Sequence, residues 1–295
     1  MTKYEKWREL KIDPFEIKYK KIKIKSIDSY LPAGNDVVEC SCLLNGEETS
    51  LFIKIARSKM AGFKTEVNHL NLIDKEKLYN KVPLIIEDGY INYKKYIVLE
   101  KIIGDRLSDI LKKANNLNKK KEYLIKYGKE LSLIHSIPIK GFSRAKRRVI
   151  NESPLKETYQ KFDSSILPYI KYLEKNNPVK DNNTFIHGDF HYANILWQKE
   201  DIIGVLDWEY SGAGFKEQDI AWACILRSTQ KFMDSIDDIK AFLIGYSING
   251  TYNKDNLKWC LINGMCHFYL MNKSNDVYKT KLMKLMSEVI EFNFI

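Results

Sequence analysis

The spacing of apolar residues changes near residues 99–105, and this change limits the folds that are open to the chain. Before it, apolar and polar residues alternate in short runs, which is the pattern of half-buried strands. After it, apolar residues recur at helical spacing over long stretches. The sequence therefore predicts an α+β chain, with a small antiparallel sheet lobe at residues 1–102 and a larger, mainly helical lobe at residues 103–295.

The strand-like runs lie between residues 16 and 99, and the turn-forming stretches "AGND" and "NGEE" separate them. One helix is predicted among them, at residues 58–75, from the helical spacing of Phe63, Val67, Leu70 and Ile73. In the second lobe, helices are predicted at residues 107–114, 120–136, 155–174 and most of 218–295. Two short strands, "NILWQ" and "IIGVLD", are expected to form a hairpin through a turn at "KED".

Composition and charge exclude several classes of protein. The net charge is +10, yet residues 181–240 hold eleven acidic against five basic side chains, so the charge does not form a general footprint for nucleic acid. No apolar run reaches membrane-spanning length, and "MTKYEKWRELKIDPF" lacks the apolar core of a secretory signal. The five cysteines show no CxxC pair, so we expect free thiols in a cytoplasmic protein that binds neither nucleic acid nor membrane.

The stretch "HGDFHYANILW" and the aspartate in "GVLDWEY" carry the chemistry of the acidic section. Asn194 and Asp207 lie at opposite ends of the predicted hairpin, so both side chains can face one point. A carboxylate and an amide oxygen suit Mg²⁺, with phosphate oxygens completing its coordination. Asp189 precedes the hairpin on a glycine-containing turn, where it can take a proton from an attacking hydroxyl. This combination indicates phosphoryl transfer.

A cation for the nucleotide phosphates is expected on a strand. The chain has no GxxxxGK[ST] motif, which argues against a Walker-type nucleotide site. Lys54 lies among apolar neighbours in "SLFIKIA", and Glu66 follows twelve residues later in the predicted helix. Burying an unpaired lysine is costly, so Glu66 is expected to pair with it, as a helix glutamate does in protein kinases.

These motifs resemble those of the aminoglycoside phosphotransferase and choline kinase superfamily, the kinase-like small-molecule phosphotransferases. The matching segments are "LSLIHSI", "HGDFHYANILW", "GVLDWEYSG" and "EQDIAWA", at residues 131–137, 187–197, 204–212 and 217–223. The resemblance implies a two-lobed, protein-kinase-like fold and transfer of a phosphate from ATP or GTP. It identifies the superfamily closely and the substrate poorly.

The resemblance also implies a role for individual residues. Asp189 would be the catalytic base, and Asn194 and Asp207 would hold Mg²⁺. Lys54 would contact the nucleotide phosphates, with Glu66 orienting it.

The same resemblance implies roles for four further residues. The backbone of Glu100 and Ile102 would contact the nucleotide base, while His187 and Asp219 would support the catalytic loop. The segment that corresponds to the kinase glycine loop, "LPAGNDVVECSC", holds a single glycine.

The likeness leaves other positions open. Glu209 would either contact the substrate or form a local ion pair. Trp208 and Trp222 are candidates for lining a pocket.

The acceptor is expected to be a small cationic molecule. Asp207 and Asp219 are twelve residues apart, which leaves no room for the long activation segment of a protein kinase. The acidic balance of residues 181–240 favours a cation, and an aminoglycoside is the first choice. Choline, ethanolamine or another small metabolite is the alternative, and a catalytically silent binding module is the alternative of a different class. A monomer or weak dimer is expected.

Overall fold

The chain forms two compact units, and each unit is built from two separate segments of the sequence. The computed structural model describes residues 7–58, 62–113, 119–145, 164–228, 230–272 and 274–294. The first unit is Met1–Gly104 together with Ile203–Tyr210, and the second is Asp105–Ile202 together with Ser211–Ile295. The functional division into a nucleotide-binding lobe at 1–102 and a substrate-binding lobe at 103–295 stays a prediction.

The first unit is built on a five-stranded antiparallel sheet. Its strands are β1 (Ile22–Leu31), β2 (Asp36–Leu44), β3 (Glu47–Ile55), β4 (Ile85–Ile91) and β5 (Lys94–Glu100), in the spatial order β1-β2-β3-β5-β4. The turn between β2 and β3 is Asn45-Gly46, with both residues at positive φ (54° and 91°), the conformation that suits a two-residue hairpin. The predicted alternation is confirmed in β2, where Val38, Cys40 and Cys42 are buried.

Helix α1 (Phe63–Lys75) is the helix of the first unit that the sequence predicts. The structure has it from Phe63, and residues 59–61 of the predicted span lie outside the described part of the chain. Phe63, Val67, Leu70 and Ile73 are all buried, and the helix packs against β5 and β4. The apolar spacing therefore identified the face that covers the sheet.

The second unit consists mainly of helices. Within the residues that the structure describes, they are α2 (Leu107–Lys112), α3 (Lys120–His135), α4 (Leu167–Lys175), α5 (Lys216–Cys224), α6 (Ile236–Tyr246), α7 (Lys254–Met271) and α8 (Asp276–Glu291). Of the helix predicted at 155–174, residues 155–163 lie outside the described residues, and α4 begins at Leu167. The prediction of helix over most of 218–295 merged four separate helices.

Short strands lie around the "HGD" motif. The predicted hairpin is present as β7 (Ile195–Gln198) and β8 (Asp201–Val205), with Lys199 at φ 56° in the turn. The sequence did not predict a second pairing, between β6 (Thr184–Ile186) and β9 (Gly212–Gly214). Three-residue strands are too short to show an alternation, so no pattern marks them. This pairing fixes the chain immediately before the "HGD" motif.

Two sequence expectations about the whole chain can be compared with the structure. All five cysteines are buried and carry free thiols. Among the helices that the structure describes, none has the length and hydropathy that crossing a membrane requires. In the part of the chain that the structure describes, the mixed α+β architecture, a small sheet unit with one α-helix and a mainly helical second unit, confirms the predicted fold class.

Candidate active site

Lys54 forms the centre of an ion cluster in the first unit. Its Nζ atom lies 2.7 and 2.9 Å from the two carboxylate oxygens of Glu66 and 2.8 Å from Oδ1 of Asp207. Lys54 is 7% exposed and Glu66 is fully buried. Strand β3 presents the lysine and α1 the glutamate, so the predicted pairing of a strand lysine with a helix glutamate is present in this structure.

The cluster has more acid than base. Burial opposes the charge on Lys54, but Asp207 and Glu66 outweigh it and hold the pKa of Lys54 above its ordinary value. Burial raises the pKa of Glu66. The positive charge of Lys54 opposes this increase, whereas Asp207 and Glu209 add to it. Burial also raises the pKa of Glu209, with a further contribution from Asp207. Three carboxyl groups around one lysine are an environment that an added cation would stabilise.

Asp207 follows the end of β8 in a strained backbone conformation. Its φ is 67°, in the left-handed region that residues other than glycine rarely adopt. Asp and Asn tolerate this region better than bulkier residues, and such strain often occurs at functional sites. The conformation accompanies the 2.8 Å contact between the Asp207 carboxylate and Lys54.

The two residues after Asp207 pack within the first unit. Trp208 is fully buried, and its indole N–H donates to the Val205 carbonyl at 2.8 Å. Oε2 of Glu209 lies 3.4 Å from the Asn35 amide nitrogen and 3.4 Å from the backbone N of Gly62. A Cβ atom at position 62 would collide with the Glu209 backbone, so glycine is required for this approach. The substrate contacts suggested for Trp208 and Glu209 stay predictions.

Glu100 and Ile102 lie at the end of the first unit's main segment. The backbone N–H of Glu100 donates to the Leu84 carbonyl at 2.9 Å, and its side chain accepts from the backbone N–H of Leu84 at 3.3 Å. Ile102 lies close to Gly204, where a Cβ would be 3.0 Å from the isoleucine side chain. Their contact with a nucleotide base stays a prediction.

In the second unit, Asp219 holds the backbone of the "HGD" turn. Its carboxylate accepts from the backbone N–H of His187 at 2.9 Å and of Gly188 at 3.0 Å. Gly188 has φ 81°, a conformation that glycine adopts without strain. Nδ1 of the fully buried His187 accepts from the backbone N–H of Asp189 at 3.2 Å. These bonds give the turn that presents Asp189 a fixed shape.

The Asp189 side chain is held by donors on both of its oxygens. The indole N–H of Trp222 donates to Oδ1 at 2.7 Å, and the Asn194 amide nitrogen lies 3.3 Å from Oδ2. The same amide nitrogen donates to the Asp189 backbone carbonyl at 3.0 Å, which turns the amide oxygen of Asn194 away from Asp189. An oxygen is the atom that a magnesium ligand must offer.

The structure adds residues that the sequence did not assign to this site. Nε2 of His135 lies 3.2 Å from Oδ2 of Asp219, and its Nδ1 lies 2.8 Å from the Tyr246 hydroxyl. The sequence offered Trp222 as a pocket residue and did not predict its bond to Asp189. Its position three residues after Asp219, one helical turn along α5, was the available signal.

Asn194 and Asp207 are the predicted metal ligands. Among the described residues, no group of three or more His, Cys, Asp or Glu is arranged to hold a metal ion. Mg²⁺ takes few protein ligands and completes its octahedron with water and phosphate oxygens, so a carboxylate and an amide oxygen fit it. The surplus of carboxylates around Lys54 fits a divalent cation as well.

Comparison with a known family decides the class of the chain. The sequence model described as "Phosphotransferase enzyme family" matches residues 41–254, more than half of the chain. The chain belongs to this family. This membership confirms the resemblance that the sequence motifs indicated.

Two solved structures match the chain over most of its length. A putative fructosamine-3-kinase from Haemophilus somnus 129PT is 18% identical, with 92% of each chain covered and a TM-score of 0.50. The choline kinase LicA from Streptococcus pneumoniae is 15% identical, covering 92% of this chain and 95% of its own, with a TM-score of 0.49.

Two curated proteins share only a short segment with the chain. The identity to acyl-CoA dehydrogenase family member 10 from Mus musculus is 32% over 73 residues, 23% of this chain and 7% of that protein. The probable acyl-CoA dehydrogenase IBR3 from Arabidopsis thaliana is 32% identical over 62 residues, 19% of this chain and 8% of its own. The chain thus matches less than a tenth of the length of these relatives.

Proposed function

We propose that the protein transfers the γ-phosphate of ATP or GTP to a hydroxyl of a small cationic acceptor, with Asp189 as the base. The observation that carries this proposal is the restraint of Asp189 by Trp222 and Asn194, on a turn that Asp219 holds. A base that is fixed in one orientation is what proton transfer from a bound hydroxyl requires. Family membership supports the reaction class.

In the proposed reaction Asp189 accepts the proton of the acceptor hydroxyl. The hydroxyl oxygen forms a bond to the γ-phosphorus, the bond between that phosphorus and the bridging oxygen breaks, and the nucleoside diphosphate leaves. Lys54 offers a positive charge to the phosphates, and Glu66 keeps its ammonium in place. Asn194 and Asp207 would hold Mg²⁺, which supplies neutralisation of phosphate charge when bound.

We further propose that the acceptor is an aminoglycoside. The acidic balance of residues 181–240 would attract a molecule with several ammonium groups, and such a molecule carries several hydroxyls. Recognition of choline calls for open aromatic faces. The guanidinium of Arg227 lies over the Trp222 ring, 4.9 Å from its centroid, so one face of the aromatic side chain beside Asp189 is already covered by a cation.

The test is nucleotide consumption with Mg²⁺ against a panel of aminoglycosides, choline, ethanolamine and small sugars. We expect turnover on an aminoglycoside, and we expect Asp189→Asn to lower kcat by about 10²–10⁴-fold because it removes the base. Nucleotide affinity should remain, since Asp189 does not belong to the Lys54 cluster.

Each other outcome has a definite meaning. Turnover on an amino alcohol alone would overturn the aminoglycoside assignment and keep the phosphotransfer. Full turnover by Asp189→Asn would overturn the mechanism. Nucleotide binding without turnover on any acceptor would favour the catalytically silent binding module.

A further inference from the structure

We propose that Trp222 is a positioning residue that holds the Asp189 carboxylate in one orientation for the reaction with the acceptor hydroxyl. The inference rests on the proposed function, because it assigns Trp222 a role in the proton transfer to Asp189. It starts from a contact that the sequence motifs do not describe: the indole N–H of Trp222 donates to Oδ1 of Asp189 at 2.7 Å.

One helix restrains both the backbone and the side chain of the catalytic turn. Asp219, in the first turn of α5, accepts from the backbone of His187 and Gly188. Trp222 lies three residues later, so it projects from a neighbouring position on the same helix face. The position of α5 therefore sets the shape of the turn and the orientation of the Asp189 carboxylate together.

The two oxygens of Asp189 have different hydrogen-bond partners. Oδ1 accepts the 2.7 Å bond from Trp222, whereas Oδ2 lies 3.3 Å from the Asn194 amide nitrogen and 3.6 Å from Nε2 of His191. A short hydrogen bond to an ionised oxygen is strong and draws electron density from it. The indole therefore anchors Oδ1 and fixes the orientation of the Asp189 carboxylate.

The Trp222 ring is itself held in place. The Arg227 guanidinium donates to the Trp222 carbonyl at 3.0 Å and to the Ile225 carbonyl at 2.7 Å, at the end of α5. It also lies over the rings of Trp222 and Phe268, 4.9 and 5.5 Å from their centroids. Trp222 and Phe268 contact each other with centroids 5.5 Å apart. A ring that is held in this way can restrain a carboxylate without adjusting to it.

Trp259 provides a matched control for substitution of Trp222. Its indole N–H also donates a hydrogen bond in the second unit, but to the backbone carbonyl of Leu173 at 2.9 Å. Trp222→Phe and Trp259→Phe therefore remove the same chemical group and one hydrogen bond each. They differ in whether Asp189 loses a donor.

The first measurement tests the contact without any turnover. The five tryptophans give five indole N–H resonances after ¹⁵N labelling, and the two Trp→Phe variants assign those of Trp222 and Trp259. We expect Asp189→Asn to move the Trp222 resonance more than any other, because its acceptor changes from a carboxylate to a neutral amide. A Trp222 resonance unchanged by Asp189→Asn would overturn the inference.

The second measurement separates positioning from packing. With an acceptor that the wild type uses, we expect Trp222→Phe to lower kcat by about tenfold or more while the KM for nucleotide stays within about twofold. Trp259→Phe should leave kcat within about twofold. Equal kcat values for the two variants would overturn the inference and leave the proposed function standing. Absence of turnover by the wild type on every acceptor would overturn the proposed function instead.

Discussion

His69 lies on the buried side of α1, three residues after Glu66, and it is 3% exposed. Burial lowers the pKa of its imidazole from 6.5 to about 4, because the charged ring would lose its hydration. Between these two values the unfolded chain binds a proton that the folded chain does not. The contribution of neutral His69 to the free energy of unfolding is therefore fully present above pH 6.5, and it is lost as the pH falls towards 4.

This linkage predicts an acid-sensitive first unit. Between pH 7.5 and pH 5 the free energy of unfolding should fall by about 2 kcal/mol through His69 alone. His69→Gln should be less stable at pH 7.5 but should show a smaller fall, as measured by urea unfolding at both pH values. Equal falls in the variant and the wild type would contradict the assignment of this pH dependence to His69.

At the scale of elements, helices α3 and α6 approach each other closely at two glycines. A Cβ at Gly128 would collide with the Phe242 carbonyl oxygen, and one at Gly245 would collide with that of Ile125. In both places the obstacle is backbone, which cannot move aside as the end of a flexible side chain can. Glycine is thus required for the packing of these two helices.

Gly128→Ala should consequently destabilise the second unit, although alanine is the better helix former. Overpacking of a tight contact costs about 1–3 kcal/mol, which exceeds the gain in helix propensity. Urea unfolding compares it with Lys129→Ala, a change at the next residue of α3 whose side chain is exposed. A Gly128→Ala protein as stable as the control would show that the helices separate at little cost.

Much of this element structure was predictable from the sequence because local patterns encode it. Alternation identified the sheet strands, and the spacing of Phe63, Val67, Leu70 and Ile73 identified the buried face of α1. Lys54 and Glu66 were paired by a physical requirement, since a buried lysine needs a counter-charge. The β6–β9 pairing was not predictable, because three-residue strands have no detectable period.

The contact between Trp222 and Asp189 escaped prediction for a different reason. The two residues are 33 positions apart, and their contact depends on where α5 lies beneath the turn. Likewise, the approach of Glu209 to Asn35 and Gly62 depends on how residues 203–210 pack within the first unit. A motif identifies which residues take part in such sites, while long-range packing decides which atoms meet.

At the scale of the whole molecule, nucleotide with Mg²⁺ should act as a stabilising ligand. A ligand at 100 times its Kd that binds only the folded state adds about 2.7 kcal/mol to the free energy of unfolding. We expect this gain with ATP and Mg²⁺, and we expect EDTA to remove most of it. Asp207→Asn should lose most of the gain too, because it weakens the proposed cation ligand next to Lys54.

Asp201→Asn is the control for this substitution, because Asp201 lies in the same hairpin with its side chain 83% exposed. It should keep the full gain, measured by thermal unfolding at equal ligand concentration. Equal stabilisation of the Asp207 and Asp201 variants would contradict the proposed role of Asp207.

Two separate segments of the chain build the first unit, and their order in the sequence affects how this unit folds during synthesis. Residues Ile203–Tyr210 join a unit whose other part ends at Gly104. They bring Trp208, a fully buried side chain whose ring contacts Tyr79. A nascent chain emerging from the ribosome with its N-terminus first therefore cannot complete the core of its first unit until residue 210 has been translated. Until then the first unit lacks the Trp208 side chain that completes its buried core.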